Sequence, residues 1–229
     1  MIARFALLAA LVAVPVLVPV LATAQQIGSS QFAIKADDGE PLSNHKLSDA
    51  EVAQVEKLPG LVDATTAKGN VTLYQFYDLN CPYCRAAAAD VDKLITTDPA
   101  LRLVFVPYPV LSVQSVEGSR VELAVRELAP QRFLEFHRKV YAGRGVIDGN
   151  RALAVTDAMG LDRKKIIDIA NTQRVTDTMV AHSKVGAALE LMATPSYVVQ
   201  GVALVGHPGY EPLRKIIASV RSCKAVVCS

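Results

Sequence analysis

Two cysteines, Cys81 and Cys84, stand directly after a run of strand-forming residues and at the head of a helical one. No other feature of the chain narrows its fold as far. Val71 to Tyr77 (V-T-L-Y-Q-F-Y) is β-branched and aromatic, with both alternating faces largely apolar. That pattern predicts a strand buried inside a sheet. Asp78-Leu79-Asn80 leads out of it. Pro82 suits the first turn of a helix, where its missing N–H costs nothing, and the alanine-rich stretch from Arg85 to Ile95 continues that helix. A helix N-terminus carries partial positive charge and unpaired N–H groups, and the thiolate is the reactive form of cysteine. Cys81, at the cap, is therefore the candidate nucleophile. Cys84, one turn deeper, is the sheltered sulfur that would resolve a mixed disulfide. Two plainer readings stand beside this one. The pair could be a structural disulfide, or half of a zinc site completed by Cys223 and Cys228. Zinc pairs usually sit on a tight knuckle, not between a buried strand and a helix.

The rest of the chain supplies a small sheet and many helices. Leu101 to Val106 reads as a second buried strand. From about Ser115 to Leu191 the apolar spacing is helical, interrupted at Pro130, at Asp148-Gly149-Asn150 and at Gly160. Ser196 to Gln200 and Val202 to Val205 form a hairpin around Gly201, and Tyr210 to Val220 is a last helix. Upstream, Ser48 to Glu51 has capping-box spacing ahead of a short helix. The expected order is strand, helix, strand, helical block, hairpin, helix, which is an α/β sheet with helices inserted in its middle. The expected segments are 1–24, 25–70, 71–110, the helical insertion 111–192, and 193–229 with the C-terminal tail.

The first segment explains an excess of apolar residues in a 229-residue chain that is 51% hydrophobic. Arg4 precedes an apolar run from Phe5 to Ala22, and Ala22-Thr23-Ala24 has the small-x-small form read by signal peptidase. Residues 1–24 are read as a cleaved signal peptide, with an uncleaved anchor as the other reading. No stable membrane insertion is expected after cleavage. The net charge is only +2, without a long basic run, so nucleic acid is not an expected partner. Export leads to an oxidising compartment, where disulfides persist. Four cysteines are too few for a disulfide scaffold. Cys223 and Cys228 are read as a structural disulfide that pins the tail, with free thiols or a second exchange site as alternatives.

The segment from Val71 to Cys84 resembles the active-site region of the DsbA family of thioredoxin-fold proteins, in particular its exported ScsC-like subgroup. Gly160-Leu161-Asp162, Ala193-Thr194-Pro195-Ser196 and Gly206-His207-Pro208-Gly209 fall where that family has a helix start, the cis-proline loop and the loop before the last helix. The likeness spans about residues 70–221. It implies a thioredoxin fold with an inserted helical domain and a thiol–disulfide oxidoreductase located in the periplasm. It also implies a cis Thr194-Pro195 bond beside the two sulfurs, where the backbone pairs with a bound polypeptide. By proline statistics alone the bond would be trans. Pro82, Tyr83, Thr194 and Pro195 are thus the expected substrate-binding residues.

Two departures from the family matter. Many members carry a glutamate where this chain has Gln75, a carboxylate linked to proton movement at the inner cysteine. Gln75 cannot titrate, so Gln75 and Asp78 together are the candidate proton relay, with Gln75 as a plain pocket hydrogen bonder the alternative. Tyr83 and Thr194 stand where the strong oxidase DsbA has His and Val, and they resemble its isomerase-side relatives. A cationic histidine would stabilise the thiolate and Tyr83 cannot, so a less oxidising couple is expected.

The expected partners are reduced or misoxidised exported polypeptides and a membrane or soluble redox partner, with no cofactor and no metal. His45, His137, His182 and His207 show no ligand spacing, and only the His207 loop is expected near the site. Arg163-Lys164-Lys165 reads as a solvated helix face. The competing readings are a disulfide isomerase or reductase, a redox chaperone that binds without turnover, and a glutathione-dependent enzyme, since Cys-Pro-Tyr-Cys also occurs in glutaredoxins.

Overall fold

The computed structural model describes residues 31–65 and 69–228. The leader 1–24 lies outside the described residues. The elements run β1 (Ser43–Lys46), α1 (Asp49–Glu56), β2 (Val62–Asp63), β3 (Val71–Tyr77), α2 (Pro82–Thr97) and β4 (Leu101–Pro107). They continue with α3 (Val113–Leu128), α4 (Phe133–Ala142), α5 (Gly149–Ala158), α6 (Arg163–Ala170), α7 (Gln173–Ala188), β5 (Ser196–Val199), β6 (Val202–Val205) and α8 (Tyr210–Cys223). One sheet has the order β1-β6-β5-β3-β4-β2. β3 pairs parallel with β4 and antiparallel with β5, so it lies at the centre. Its two apolar faces have two destinations. Leu73 and Tyr77 join the core shared with α2, α8 and the insertion, while Tyr74 and Phe76 join the core beneath α1. Burying a strand on both faces is what its continuous apolar run requires.

α3 to α7 are inserted between β4 and β5. α3 is their hub and packs against α4, α5, α6 and α7. The helix starts are set locally. Ser48 and Glu51 form the reciprocal capping box of α1, and Ser112, Asp162 and Thr172 cap α3, α6 and α7. Asp148-Gly149-Asn150, expected as a break, opens α5 instead, because the Asp148 carboxylate accepts from the Arg151 N–H at 2.8 Å. The β5–β6 hairpin turns through Gln200 and Gly201, both at positive φ, the backbone that right-twisted hairpins need.

Two strands were not expected. β1 (S-N-H-K) lacks strand propensity, yet it pairs with all four residues of β6. β2 is two residues long and pairs with β4. Pairing to an open sheet edge supplies the backbone bonds that the sequence does not advertise. The stretch before β3 therefore completes both sheet edges.

Candidate active site

β3 leads into the turn that holds Cys81, and α2 begins on it. Cys81 is the N-cap of α2 in extended conformation, and its N–H donates to the Asp78 carbonyl at 3.1 Å. The Cys84 N–H points at the Cys81 Sγ at 3.4 Å. The Sγ of Cys81 donates to the Thr194 carbonyl at 3.0 Å. Thr194-Pro195 is cis, and it faces the cysteines across the start of β5. Tyr83 is 72% exposed, whereas both sulfur-bearing residues are buried and their thiols free.

The environment drives the two thiols apart. The Cys81 thiol is lowered to about 6. The largest cause is a hydrogen bond from the Cys84 thiol, helped by the Thr194 side chain and the backbone N–H groups of Cys84 and Tyr83, against the opposing effect of burial. The Cys84 thiol is pushed strongly up, first by burial and then by the neighbouring Cys81. One sulfur is thus a ready nucleophile and leaving group near neutral pH, and the other holds its proton.

Asp78, a candidate relay residue, is held by four donors. Its Oδ1 accepts from the Asn80 N–H and the Ser115 hydroxyl at 2.8 and 2.7 Å. Its Oδ2 accepts from the Val110 and Leu111 N–H groups at 2.9 and 3.0 Å. A carboxylate saturated by four donors is a girder that ties the Cys81 turn to the end of β4 and to α3. Gln75 is buried in the middle of β3, in register with Tyr197, and its Oε1 has no hydrogen-bond partner. The structure does not bring Gln75 and Asp78 into one hydrogen-bonded chain. Sequence reasoning also missed Asn80 and Arg85. Asn80 accepts from the Ile147 N–H and donates to the Ile147 carbonyl, and Arg85 donates to the Tyr141 and Gly143 carbonyls. Their polar type is ordinary at the start of a helix, so only the folded loop reveals the contact.

Exposed apolar side chains occur in the segments that bond to the Cys81 turn. Val110 and Leu111 follow β4, Val113 begins α3, Val146 precedes Ile147, and Met192 stands two residues before Thr194. Each is tied by its neighbours to the Asp78, Asn80 or Thr194 contacts described above.

Other residues fall elsewhere. Cys223 and Cys228 form a disulfide at the end of α8. His207 bridges the Tyr197 hydroxyl (2.7 Å) and Asp90 of α2 (2.9 Å). His182 is buried between the Pro59 and Pro107 carbonyls. Arg163, Lys164 and Lys165 pair with Asp157, Asp168 and Asp162 on an exposed helix face. Among the described residues no group of three His, Cys, Asp or Glu is placed to hold a metal ion. None of their helices is long and apolar enough to cross a membrane.

A family model described as a DSBA-like thioredoxin domain matches residues 72–218. No curated protein matches the chain. Among solved structures, a thioredoxin-like oxidoreductase from Silicibacter pomeroyi DSS-3 is 28% identical, with a TM-score of 0.68, over 72% of this chain and 94% of that one. The thiol-disulfide exchange protein alpha-DsbA2 from Wolbachia pipientis is 20% identical, with a TM-score of 0.68, over 75% and 94%. The catalytic domain of Proteus mirabilis ScsC is 20% identical, with a TM-score of 0.66, over 74% and 94%. At 20% identity the last two speak for the fold alone.

Proposed function

We propose, for a chain that belongs to the DSBA-like thioredoxin-domain family of thiol–disulfide oxidoreductases, that it is an exported enzyme exchanging disulfides with polypeptides through Cys81 and Cys84. The observation that carries this reading is the placement of the Cys81 sulfur. Cys81 caps α2 with its Sγ on the carbonyl of a cis Thr194-Pro195 loop.

In the oxidising direction a client thiolate attacks Sγ of Cys81. The Cys81–Cys84 bond breaks, and Cys84 leaves and takes up a proton. A second client thiolate then attacks the client sulfur of the mixed disulfide and releases Cys81 as a thiolate. The low-lying thiol makes Cys81 a good leaving group in that last step. The backbone of Thr194-Pro195 aligns the client strand-fashion. Pro82 and Tyr83 form one wall, and the exposed apolar side chains of α3 and its neighbouring loops form the other. The helical insertion acts as a lid for client side chains, not as a separate catalytic unit.

Cys84→Ala should trap clients as mixed disulfides through Cys81, seen as higher-mass species that collapse with reductant. Failure to trap any client would defeat the redox reading in favour of a binding module. Comparing reduced with scrambled disulfide substrates then assigns direction. Activity only on the first means oxidase. Activity on the second means isomerase, a reading favoured by the uncharged Tyr83 inside the motif. Export is tested by sequencing the N-terminus of the mature protein, which should begin at Gln25.

A further inference from the structure

Between α4 and α5 the chain makes a short loop, Gly143 to Ile147, with no secondary structure of its own. A loop of this kind ordinarily leaves its backbone groups to water. Here side chains take them. Arg85 of α2 donates to the carbonyls of Tyr141, Gly143 and Gly145, the last at 3.3 Å. Arg151 of α5 donates to the Arg144 carbonyl. Asn80 holds both backbone groups of Ile147, accepting at 2.7 Å and donating at 2.9 Å. A Cβ on Gly143 would run into the Arg151 guanidinium, and Gly145 stands at φ +86°, so glycine is what each place allows. Hydrogen bonds from a cation are the stronger kind, and two guanidinium groups and one amide fix this loop from three directions.

The anchors also say where the loop lies. Asn80 directly precedes Cys81 and Arg85 directly follows Cys84, so the loop is bonded to both ends of the two-cysteine segment. It presents two side chains there that the fold does not use. Val146 is 61% exposed, while Ile147 beside it is fully buried and seats the loop. Arg144 is exposed, and its side chain has no ion-pair partner among the described residues. The acidic side chains nearby serve the start of α5 instead. Asp148 accepts from the Arg151 N–H at 2.8 Å, and Glu117 accepts from the Gly149 N–H at 3.5 Å. Three cations, Arg85, Arg144 and Arg151, thus meet in this loop beside the cysteines. Ordering a loop costs conformational entropy, and showing an apolar side chain and an unpaired charge to water returns none of it. A partner that covers the loop does.

We infer that the Gly143–Ile147 loop determines specificity by reading the client residues next to the reacting cysteine, with Arg144 selecting a carboxylate and Val146 an apolar side chain. The partner it fits is a polypeptide that is acidic and apolar beside its cysteine. The Thr194 carbonyl meets the Cys81 sulfur itself, whereas this loop meets the residues on either side of the motif, so the two contact a client at separate points. A client aligned strand-fashion projects alternate side chains to opposite sides, and the loop meets one set of them. A charge at the rim of an interface acts chiefly on the rate of encounter and on its salt dependence. Arg85, Arg151 and Asn80 act through the loop and are positioning residues.

The inference rests on the proposed exchange at Cys81, and one experiment separates the two. Two peptides carry a single cysteine, flanked by leucine and glutamate in one and by leucine and lysine in the other. Each is joined through a disulfide to an aromatic thiol. The Cys81 thiolate of reduced protein attacks the peptide sulfur, a Cys81–peptide disulfide forms, and the coloured aromatic thiolate leaves with the electron pair. Each rate is divided by that peptide's rate with a free small thiol. At low salt the acidic peptide should react at least about three-fold faster than the basic one, a size usual for exposed charges. The quotient should fall towards one at 1 M salt, where the screening length is about 3 Å. Arg144→Glu should carry the quotient below one. Lys224→Glu makes the same change in net charge beyond the Arg221–Asp98 pair, at the other end of α2, and should leave the quotient in place. Val146→Ser should at least halve the advantage of leucine over alanine as the apolar flank. A quotient near one in the unmodified protein, an equal response to Arg144→Glu and Lys224→Glu, or a leucine advantage untouched in Val146→Ser overturns the inference. No coloured thiolate from either peptide overturns the exchange reading instead. Should a variant not fold, the quotient and its salt dependence in the unmodified protein still decide the matter.

Discussion

Both cysteine pairs sit at helix ends, and they sit at opposite ones. Cys81 caps the N-terminus of α2, where N–H groups converge on its sulfur. Cys223 is the last residue of α8, and the Ser219 carbonyl faces it at 3.2 Å and Cys228 at 3.7 Å. The N-terminal end of a helix behaves as a partial positive charge and the C-terminal end as a partial negative one. A thiolate is therefore stabilised at the first pair and disfavoured at the second. Burial separates them further. Cys84 is enclosed by the core, so the first pair has one reactive and one guarded sulfur, whereas Cys223 and Cys228 are both exposed and equivalent. The same residue becomes a working sulfur or a staple according to which helix end it occupies.

The largest effect that could break this comparison is loss of catalysis. Cys81→Ser should reduce exchange with a disulfide substrate to the uncatalysed background, while Cys223→Ser combined with Cys228→Ser should leave the rate within about two-fold, since surface changes away from a site are usually near neutral. An assay of substrate oxidation at pH 7 tests both variants side by side.

A pH titration sharpens the contrast. Alkylation of reduced protein at Cys81 should rise with a midpoint of about 6, with Cys84 unreactive over the same range. The sign for stability follows from linkage. The Cys81 thiol is lowered in the folded state, so the reduced protein gains stability as pH rises through about 6, with the full gain above the unfolded thiol range near 8.5. It loses that stability as pH falls back through 6. At pH 7 the gain is on the order of 1 kcal/mol. Denaturant unfolding of the reduced protein at pH 5 and pH 8, compared with reduced Cys81→Ser, should show it.

Local signals made the cysteine site legible, and long-range pairing hid the rest. The β3 run, Pro82 behind a capping cysteine, the Ser48 box and the Gly201 hairpin each announce themselves within a few residues. The cis bond at Thr194-Pro195 came from resemblance, because cis is the minority form for any proline. β1 was illegible because S-N-H-K acquires strand geometry only from β6. The four donors to Asp78 are invisible in the sequence because they come from three separate stretches of chain.

A subtler change tests how far side chains add to the helix end itself. Tyr83→His should lower the Cys81 midpoint further and make the couple more oxidising, since an imidazolium favours a nearby thiolate. Tyr83 is 72% exposed, so screening should keep the shift below about one unit. Equilibration with glutathione and the same alkylation titration measure both. A shift of several units would mean that the motif residue, and not the N-terminus of α2, dominates.

The smallest expected effect on catalysis belongs to the tail staple, and it tests the other half of the comparison. A bridge across a sequence separation of 5 restricts only a short loop, worth roughly 2 kcal/mol on a chain-entropy account. For a chain of this size that is a Tm shift of about 4–8 °C. The staple also holds Val226, which is buried in the core cluster with Ile34 and Ile216. If the bridge works by seating that side chain, Val226→Ala should lower Tm by a similar amount, and adding it to the Cys223→Ser/Cys228→Ser variant should cost less than the sum. Fully additive losses would mean that the bridge acts on the unfolded chain alone. A fall in exchange rate that matches the fall in Tm would contradict the division of labour outright, since the exposed pair would then be a second exchange site in spite of the carbonyls that face it.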